Sequence, residues 1–197
     1  MRLGLGIFCI VLSALSLGCS ITTPTPPSTA VPFLRRTRPD DFALEYRWRE
    51  ASLPPPYHYE YTITIKPTGH GEIVMIPDYP NVMVPHYPVQ TIPRWTETFA
   101  LQSKQLDQLY GLLIETGLFA PGWETSNSES VGGTTQSLSV TAFGKRVVAP
   151  AHLKATEADS MQAIYSAIQA AVPKSLWDSL QARRQEYVQF ILAHTRK

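Results

Sequence analysis

The sequence predicts an α+β fold, with an antiparallel sheet of five or six strands and about three helices packed on one face. Three observations lead there. Apolar and polar residues alternate along several short segments, the mark of strands with one buried face. After residue 103, apolar residues recur at helical spacing in three longer segments. The order is strands, a helix, a hairpin and two helices. That order lacks the repeated strand–helix alternation of a parallel sheet covered on both sides.

Each element has its own justification. Phe42, Leu44, Tyr46 and Trp48 sit at every second position, which predicts the first strand. Pro54-Pro55-Pro56 breaks the chain. Tyr57, Tyr59, Tyr61, Ile63 and Ile65 then alternate with His58, Glu60, Thr62, Thr64 and Lys66, the clearest strand in the protein. Pro67-Thr68-Gly69 reads as a turn, and Glu72 to Ile76 as the return strand. Pairing Ile63 with Ile73 and Tyr61 with Met75 keeps both apolar rows on one face. Pro77 to Pro93 holds five prolines and reads as a long loop. Arg94 to Leu101 is a strand with Trp95, Phe99 and Leu101 on one side.

Ser103 is placed to cap a helix from Lys104 to Thr116, with Leu106, Leu109, Tyr110 and Leu113 inward and Gly117 as its stop. Residues 125–133 are polar and Gly-rich, hence a loop. Gln136 to Phe143 and Lys145 to Ala149 form a hairpin across Gly144. Thr156 is placed to cap a second helix, with Met161, Ile164, Tyr165 and Ile168 inward. Pro173 suits the start of a third helix, Lys174 to His194, which turns Leu176, Trp177, Leu180, Tyr187, Val188 and Ile191 toward the sheet.

The N-terminal segment has a different character. Arg2 precedes an apolar run of 15 residues, Leu3 to Leu17. As a helix this run spans roughly 22 Å, short of the bilayer core of about 30 Å. That length suits the core of a signal peptide. Leu15-Ser16-Leu17-Gly18-Cys19 resembles the lipobox of bacterial lipoproteins, with Ser16 where that family most often has Leu. The resemblance covers only the first 20 or so residues. It implies cleavage before Cys19, acylation of its sulfur by a chain such as palmitate, and acylation of the new N-terminus. Cysteine arithmetic agrees. The chain has two Cys, and Cys9 lies in the segment to be removed. Cys19 is then the lone thiol in an oxidising compartment, and acylation protects it.

The expected organisation is a signal peptide at 1–18, a lipidated Cys with a Pro/Ser/Thr-rich tether at 19–40, and a single α+β domain at 41–197. The tether has no apolar periodicity to fold on. Extended as polyproline II, it reaches up to roughly 60 Å from the membrane. Arg35, Arg36 and Arg38 near its end read as a solvated charge run. The body of about 155 residues is one domain by length. The charge excludes little except steered nucleic-acid binding: over the whole chain Lys+Arg is 17 and Asp+Glu is 16, and loss of Arg2 with the signal leaves 16 and 16.

Catalytic patterns are missing from the sequence. The five His show no His-Glu-x-x-His or Cys/His zinc spacing. His58, Glu60 and Asp78 are ligand types that zinc accepts, but alternating polar residues are ordinary on the solvated side of a strand, so no metal is expected. Ser137 lacks a Gly-x-Ser-x-Gly elbow. Gly132-Gly133-Thr134-Thr135 has no Lys and is not a phosphate loop. Glu72 with Asp78, or Glu124 with Glu129, are carboxylate pairs that any acidic complement of this size offers. Pro54-Pro55-Pro56-Tyr57 fits the motif read by WW domains, and here reads as a loop entering a strand. No catalytic residue and no cofactor are assigned.

Between Pro54 and Trp95 lie six aromatic residues (Tyr57, Tyr59, Tyr61, Tyr79, Tyr87, Trp95) and nine prolines. Flat rings suit glycan or protein contact at low entropic cost. Tyr59, Tyr61 and Trp95 read as core. Tyr79, His86 and Tyr87, on the long loop, are the candidate partner contacts. The expectation is a protein of the bacterial cell envelope, membrane-anchored through Cys19 and facing the periplasm or exterior. Its role is binding or structural, with an envelope protein or glycan as partner. The alternative is an envelope hydrolase whose site the sequence does not reveal.

Overall fold

The alternating segments do pair. A computed structural model of the protein describes residues 37–50, 53, 56–78, 91–120, 123, 133–149 and 151–195. Within them, six strands form one sheet: β1 (Ala43–Glu50), β2 (Glu60–Ile65), β3 (His70–Ile76), β4 (Trp95–Ala100), β5 (Thr134–Ala142) and β6 (Lys145–Ala149). The helices are α1 (Ser103–Glu115), α2 (Ala155–Ala171) and α3 (Lys174–Thr195). The strand order is β4-β3-β2-β1-β5-β6, and every neighbouring pair is antiparallel. The fold is α+β, as expected. Among the described residues no helix is long and apolar enough to cross a membrane.

Register puts the apolar rows on one face. Ile63 lies opposite Ile73 and Tyr61 opposite Met75. Tyr46 lies between Ile63 and Leu138. Leu44, Tyr46, Tyr61, Ile63, Ile65, Ile73, Met75, Leu138 and Val140 are all buried. Fully burying an Ile or Leu contributes about 1.5–3 kcal/mol, so this face is the main source of stability. The opposite face carries short polar and charged residues, among them Arg47, Thr62, Thr64, Thr96, Ser137 and Thr141. Two glycines make the packing possible. A Cβ on Gly69 (φ +84°) would collide with the Leu101 carbonyl, and one on Gly71 would collide with the Phe99 ring across the β3–β4 pair.

The helices fill the covered face from three directions. Tyr110 of α1 meets Phe42 edge-on at 5.3 Å. Tyr165 of α2 lies 5.1 Å from Tyr46, and Trp177 of α3 meets Tyr61 edge-on at 4.9 Å. The helix ends differ from the expected ones. Ser103 is the first residue of α1 rather than its cap. Gln102 is the cap, and its N–H donates to Gln105 Oε1 at 2.8 Å. Helix α2 begins at Ala155 behind Lys154, so Thr156 lies inside the first turn. The stop of α1 is as expected. Gly117 (φ +73°) donates to Ile114 O and Leu118 to Leu113 O, a paired closure that satisfies two orphan carbonyls. Pro173 precedes α3, and its carbonyl accepts the Leu176 N–H at 3.0 Å.

The β5–β6 hairpin turns on Phe143 (φ 54°) and Gly144 (φ 69°), a two-residue turn whose left-handed first position is unusual for Phe. Asp41 compensates. Its carboxylate accepts the Phe143 N–H at 2.8 Å and the Gly144 N–H at 2.5 Å. These bonds, that to Gly144 first, hold the Asp41 carboxyl below its usual range. Arg38 does not belong to a solvated charge run. Its Nε donates to Asp107 Oδ1 at 2.7 Å, and it lies largely covered against α1.

Candidate functional site

The buried polar residues of the core mark the place where the fold departs from pure packing. Within the described residues they are His58, 3% exposed, and Asp78, fully buried. His58 was expected on the solvated side of a strand running from Tyr57. The strand begins only at Glu60, so alternation does not reach residue 58 and the imidazole turns inward. Asp78 lies two residues beyond the end of β3. The His58 Nε2 and Asp78 Oδ1 atoms are in direct contact. His58 Nδ1 faces the Leu53 carbonyl oxygen at 3.2 Å.

That geometry constrains the protons. A carbonyl oxygen only accepts, so Nδ1 carries a hydrogen. A second hydrogen lies between Nε2 and Oδ1. The pair is therefore imidazolium on carboxylate, or the neutral forms of both. In either case no ring nitrogen is left to take a proton from a nucleophile. The arrangement is a fastening. Losing one partner would leave a buried polar group unpaired, which is expensive.

Helix α3 adds a longer contact to this pair. Tyr187 donates its hydroxyl to Asp78 Oδ2 at 3.4 Å, and its ring meets Trp95 edge-on at 6.4 Å. Burial, and then the neighbouring Asp78 carboxylate, raise the Tyr187 phenol well above its ordinary value. One turn earlier, Arg184 lays its guanidinium 3.9 Å from the centre of the Tyr59 ring and donates to the Tyr57 carbonyl at 2.6 Å. Arg183 pairs with Glu97 of β4 at 2.6 Å. Residues 78 and 95 are the two flanks of the long Pro-rich segment. Tyr187 touches both. The base of that segment is thus tied to α3 and, through His58, to the approach to β2.

A second polar cluster lies between α2 and the middle of the sheet. Tyr46 donates to Gln136 Oε1 at 2.6 Å. Gln169 Nε2 donates to Tyr46 Oη at 2.9 Å and to Tyr61 Oη at 2.8 Å. Trp177 Nε1 donates to the Gln169 carbonyl at 3.1 Å. Burial is the main cause that raises the phenols of Tyr46 and Tyr61. Beside this network opens a recess of about 130 Å³ lined by Thr134, Gln136, Leu153, Ala158, Gln162 and Tyr165. Tyr165 is buried, its phenol pushed up to about 12 by burial, and its hydroxyl has no hydrogen-bond partner among the described residues.

Of the sequence-derived candidates, Cys19, Tyr79, His86 and Tyr87 lie outside the described residues. Glu60 does not join His58 and Asp78; it faces Arg49 at 3.8 Å. Among the described residues no three His, Cys, Asp or Glu side chains converge as metal ligands. Tyr61 is core, Tyr59 and Trp95 pack partly against it, and Tyr57 is exposed. Sequence reasoning missed the roles of Gln136, Gln169 and Tyr165. A signal was present: Gln136 and Gln169 are amides in otherwise apolar rows, beside Leu138 on β5 and Tyr165 on α2. The chain matches no protein-family model and no curated protein sequence.

Proposed function

We propose that this chain is a lipid-anchored protein of the bacterial cell envelope whose folded body is a binding or structural module. Its contact surface is the Pro-rich segment that carries Tyr79, His86 and Tyr87, and its partner is an envelope protein or glycan. One observation carries the assignment of that surface: a single helix residue, Tyr187, touches both flanks of the segment, at Asp78 and Trp95. A contact surface gains affinity when its base is ordered before binding, because less freedom is then lost on association. The occupied nitrogens of His58 speak for binding over the alternative of an envelope hydrolase. A general base needs an accessible lone pair, and His58 offers none. The anchor rests on Leu15-Ser16-Leu17-Gly18-Cys19 and on the tether behind it.

Two experiments test the two halves of this reading. Cys19→Ala should move the protein out of the membrane fraction or leave its precursor uncut. Wild-type protein that takes up no labelled fatty acid would refute the anchor. For the surface, replacing Tyr79, His86 and Tyr87 together with Ala should abolish crosslinking to partners in the native envelope while melting and fractionation stay unchanged. Crosslinks of wild-type yield and identity in the triple variant would place the contact elsewhere.

A further inference from the structure

We propose that the groove between α1 and α2 is the seat of the chain's own residues 31–34, which cross α1 over Gly111 and set Phe33 and Leu34 into it. This docking goes beyond the contact role given to the segment between Asp78 and Trp95, and depends neither on that role nor on the anchor at Cys19. The groove comes first. It holds about 340 Å³ and is lined chiefly by Gln108, Leu109 and Leu112 of α1 and by Ala167, Ala170 and Ala171 of α2. Its lining bears no charge. Leu112, Ala167 and Ala171 are only partly buried, and Ala170 is exposed. The short alanines of α2 leave apolar surface of α1 in contact with water, which favours an apolar occupant.

The place where the chain leaves the fold comes second. The described residues begin at Thr37, and Arg38 is fastened to α1: its Nε donates to Asp107 Oδ1 at 2.7 Å and its Nη2 to Ser103 Oγ at 3.3 Å. The chain therefore departs from the helix that forms one wall of the groove. Just ahead of this point stand Val31, Phe33 and Leu34, apolar residues that gain by leaving water. Pro32 between them lowers the freedom lost on docking. Phe33 is five residues from Arg38, a reach of up to about 17 Å, and a helix with its side chains is about 10–12 Å across. A second copy of the chain suits the groove less well: seven residues line it, against about 20–30 a side in a stable interface.

Gly111 comes third and is independent of both. It lies inside α1, where glycine weakens a helix relative to alanine. Its φ is not positive, so no left-handed backbone calls for it. Nor does packing among the described residues: a Cβ at Gly111 would meet no atom of theirs within 4 Å. At 3.6 residues per turn, Asp107, Gly111, Gln108 and Leu112 follow one another around the outer side of α1. Gly111 thus sits on the path from Arg38 to the groove, and a helix surface without a side chain there lets a crossing backbone approach closely. With Cys19 as the anchor, docking leaves residues 20–30 as the free tether. Extended, they reach roughly 35 Å instead of roughly 60 Å, which holds the body nearer the membrane.

Limited digestion with trypsin reads the docking. Pro39 blocks the cut after Arg38, and Arg2 is the next basic residue ahead of Arg35, so cleavage after Arg35 or Arg36 gives one clear change of mass. In the full-length chain, assayed in the isolated cell envelope, seated residues should make this cleavage slow, because a protease needs an exposed, pliant segment. Gly111→Gln puts a side chain on the path, and Ala170→Trp fills the groove from an exposed position. Each should speed cleavage about tenfold while the far-ultraviolet circular dichroism stays that of wild type. Photo-reactive benzoylphenylalanine in place of Phe33 should crosslink within the same chain, to α1 near Leu112 and to α2 near Ala170. Cys19→Ala released from the membrane should be cut as slowly as wild type, so a failed anchor and a failed docking are distinguishable. The proposal is overturned if wild type is cut as fast as both variants. It is equally overturned if slow cutting is lost in Cys19→Ala, which would be shielding by the membrane, or if the crosslinks join two chains or fall on other faces.

Discussion

The two ends of the covered sheet face are built from different materials. At the end where β1 begins, Phe42 meets Tyr110 of α1, Tyr110 meets Phe119, and Leu44, Ile65 and Phe99 belong to the same buried apolar core. Where β1 ends, Trp48 stacks on Tyr61 at 5.2 Å and meets Tyr59 at a tilt at 4.7 Å. Beyond them lie Arg184, Tyr187, His58 and Asp78. The first end gains stability from area removed from water, a force without direction. The second spends part of that gain on buried polar groups that must each meet a partner at a set angle. A non-directional core suffices to hold a sheet against helices. Directional contacts are needed where a particular segment must leave and return at fixed points, as the chain does between Asp78 and Trp95.

The sharpest way to break this contrast is at the apolar end. Phe42 is fully buried, and Phe42→Ala should cost about 3–5 kcal/mol by cavity formation. Chemical denaturation should show a lower midpoint with an unchanged slope. A cost below about 1 kcal/mol would mean that α1 collapses onto the gap and that this end is not tightly packed.

At the polar end the expected signature is non-additivity. Asp78→Ala should cost about 3 kcal/mol because it strands His58 in an apolar setting. Adding His58→Leu should recover part of that loss, since an apolar pair of similar volume carries no unpaired group. If the two losses simply add, the contact between His58 and Asp78 is incidental and the contrast between the ends is one of composition only.

The smallest effect concerns Asp41, at the hairpin turn. Its carboxyl is held below the ordinary value by the Gly144 and Phe143 amides. A depressed folded-state value means that the stabilisation is present above the unfolded value of about 3.9 and is lost as pH falls through the folded one. The difference in melting temperature between wild type and Asp41→Asn should therefore be constant from neutral pH down to about pH 5 and shrink below about pH 4. A difference that grows on acidification would show that the carboxylate is not what clamps Phe143.

What this sequence determined by itself is whatever short-range pattern can encode. Alternation placed β1 to β5. The turn at Gly69 brought β2 and β3 together in the register that opposes Ile63 to Ile73, because the four intervening residues leave little choice of pairing. Gly117 ended α1, because a left-handed residue is needed where the last carbonyls are closed. The caps Ser103 and Thr156 were misplaced by one or two residues, since a backbone bond from the preceding residue starts a helix as well as a side chain does.

The tertiary structure alone decided the rest. Tyr46 opposite Leu138 is a pairing across about 90 residues of chain, and no local signal selects β5 over β4 as the neighbour of β1. His58 is the clearest case. Its position in an alternating run pointed to solvent, yet Asp78 and the Leu53 carbonyl lie where they satisfy both ring nitrogens, and the imidazole is buried. A polar side chain goes inside only when its partners are already there. Those partners come from segments brought together by the completed fold, so the same cause hid Gln169 between Tyr46 and Tyr61.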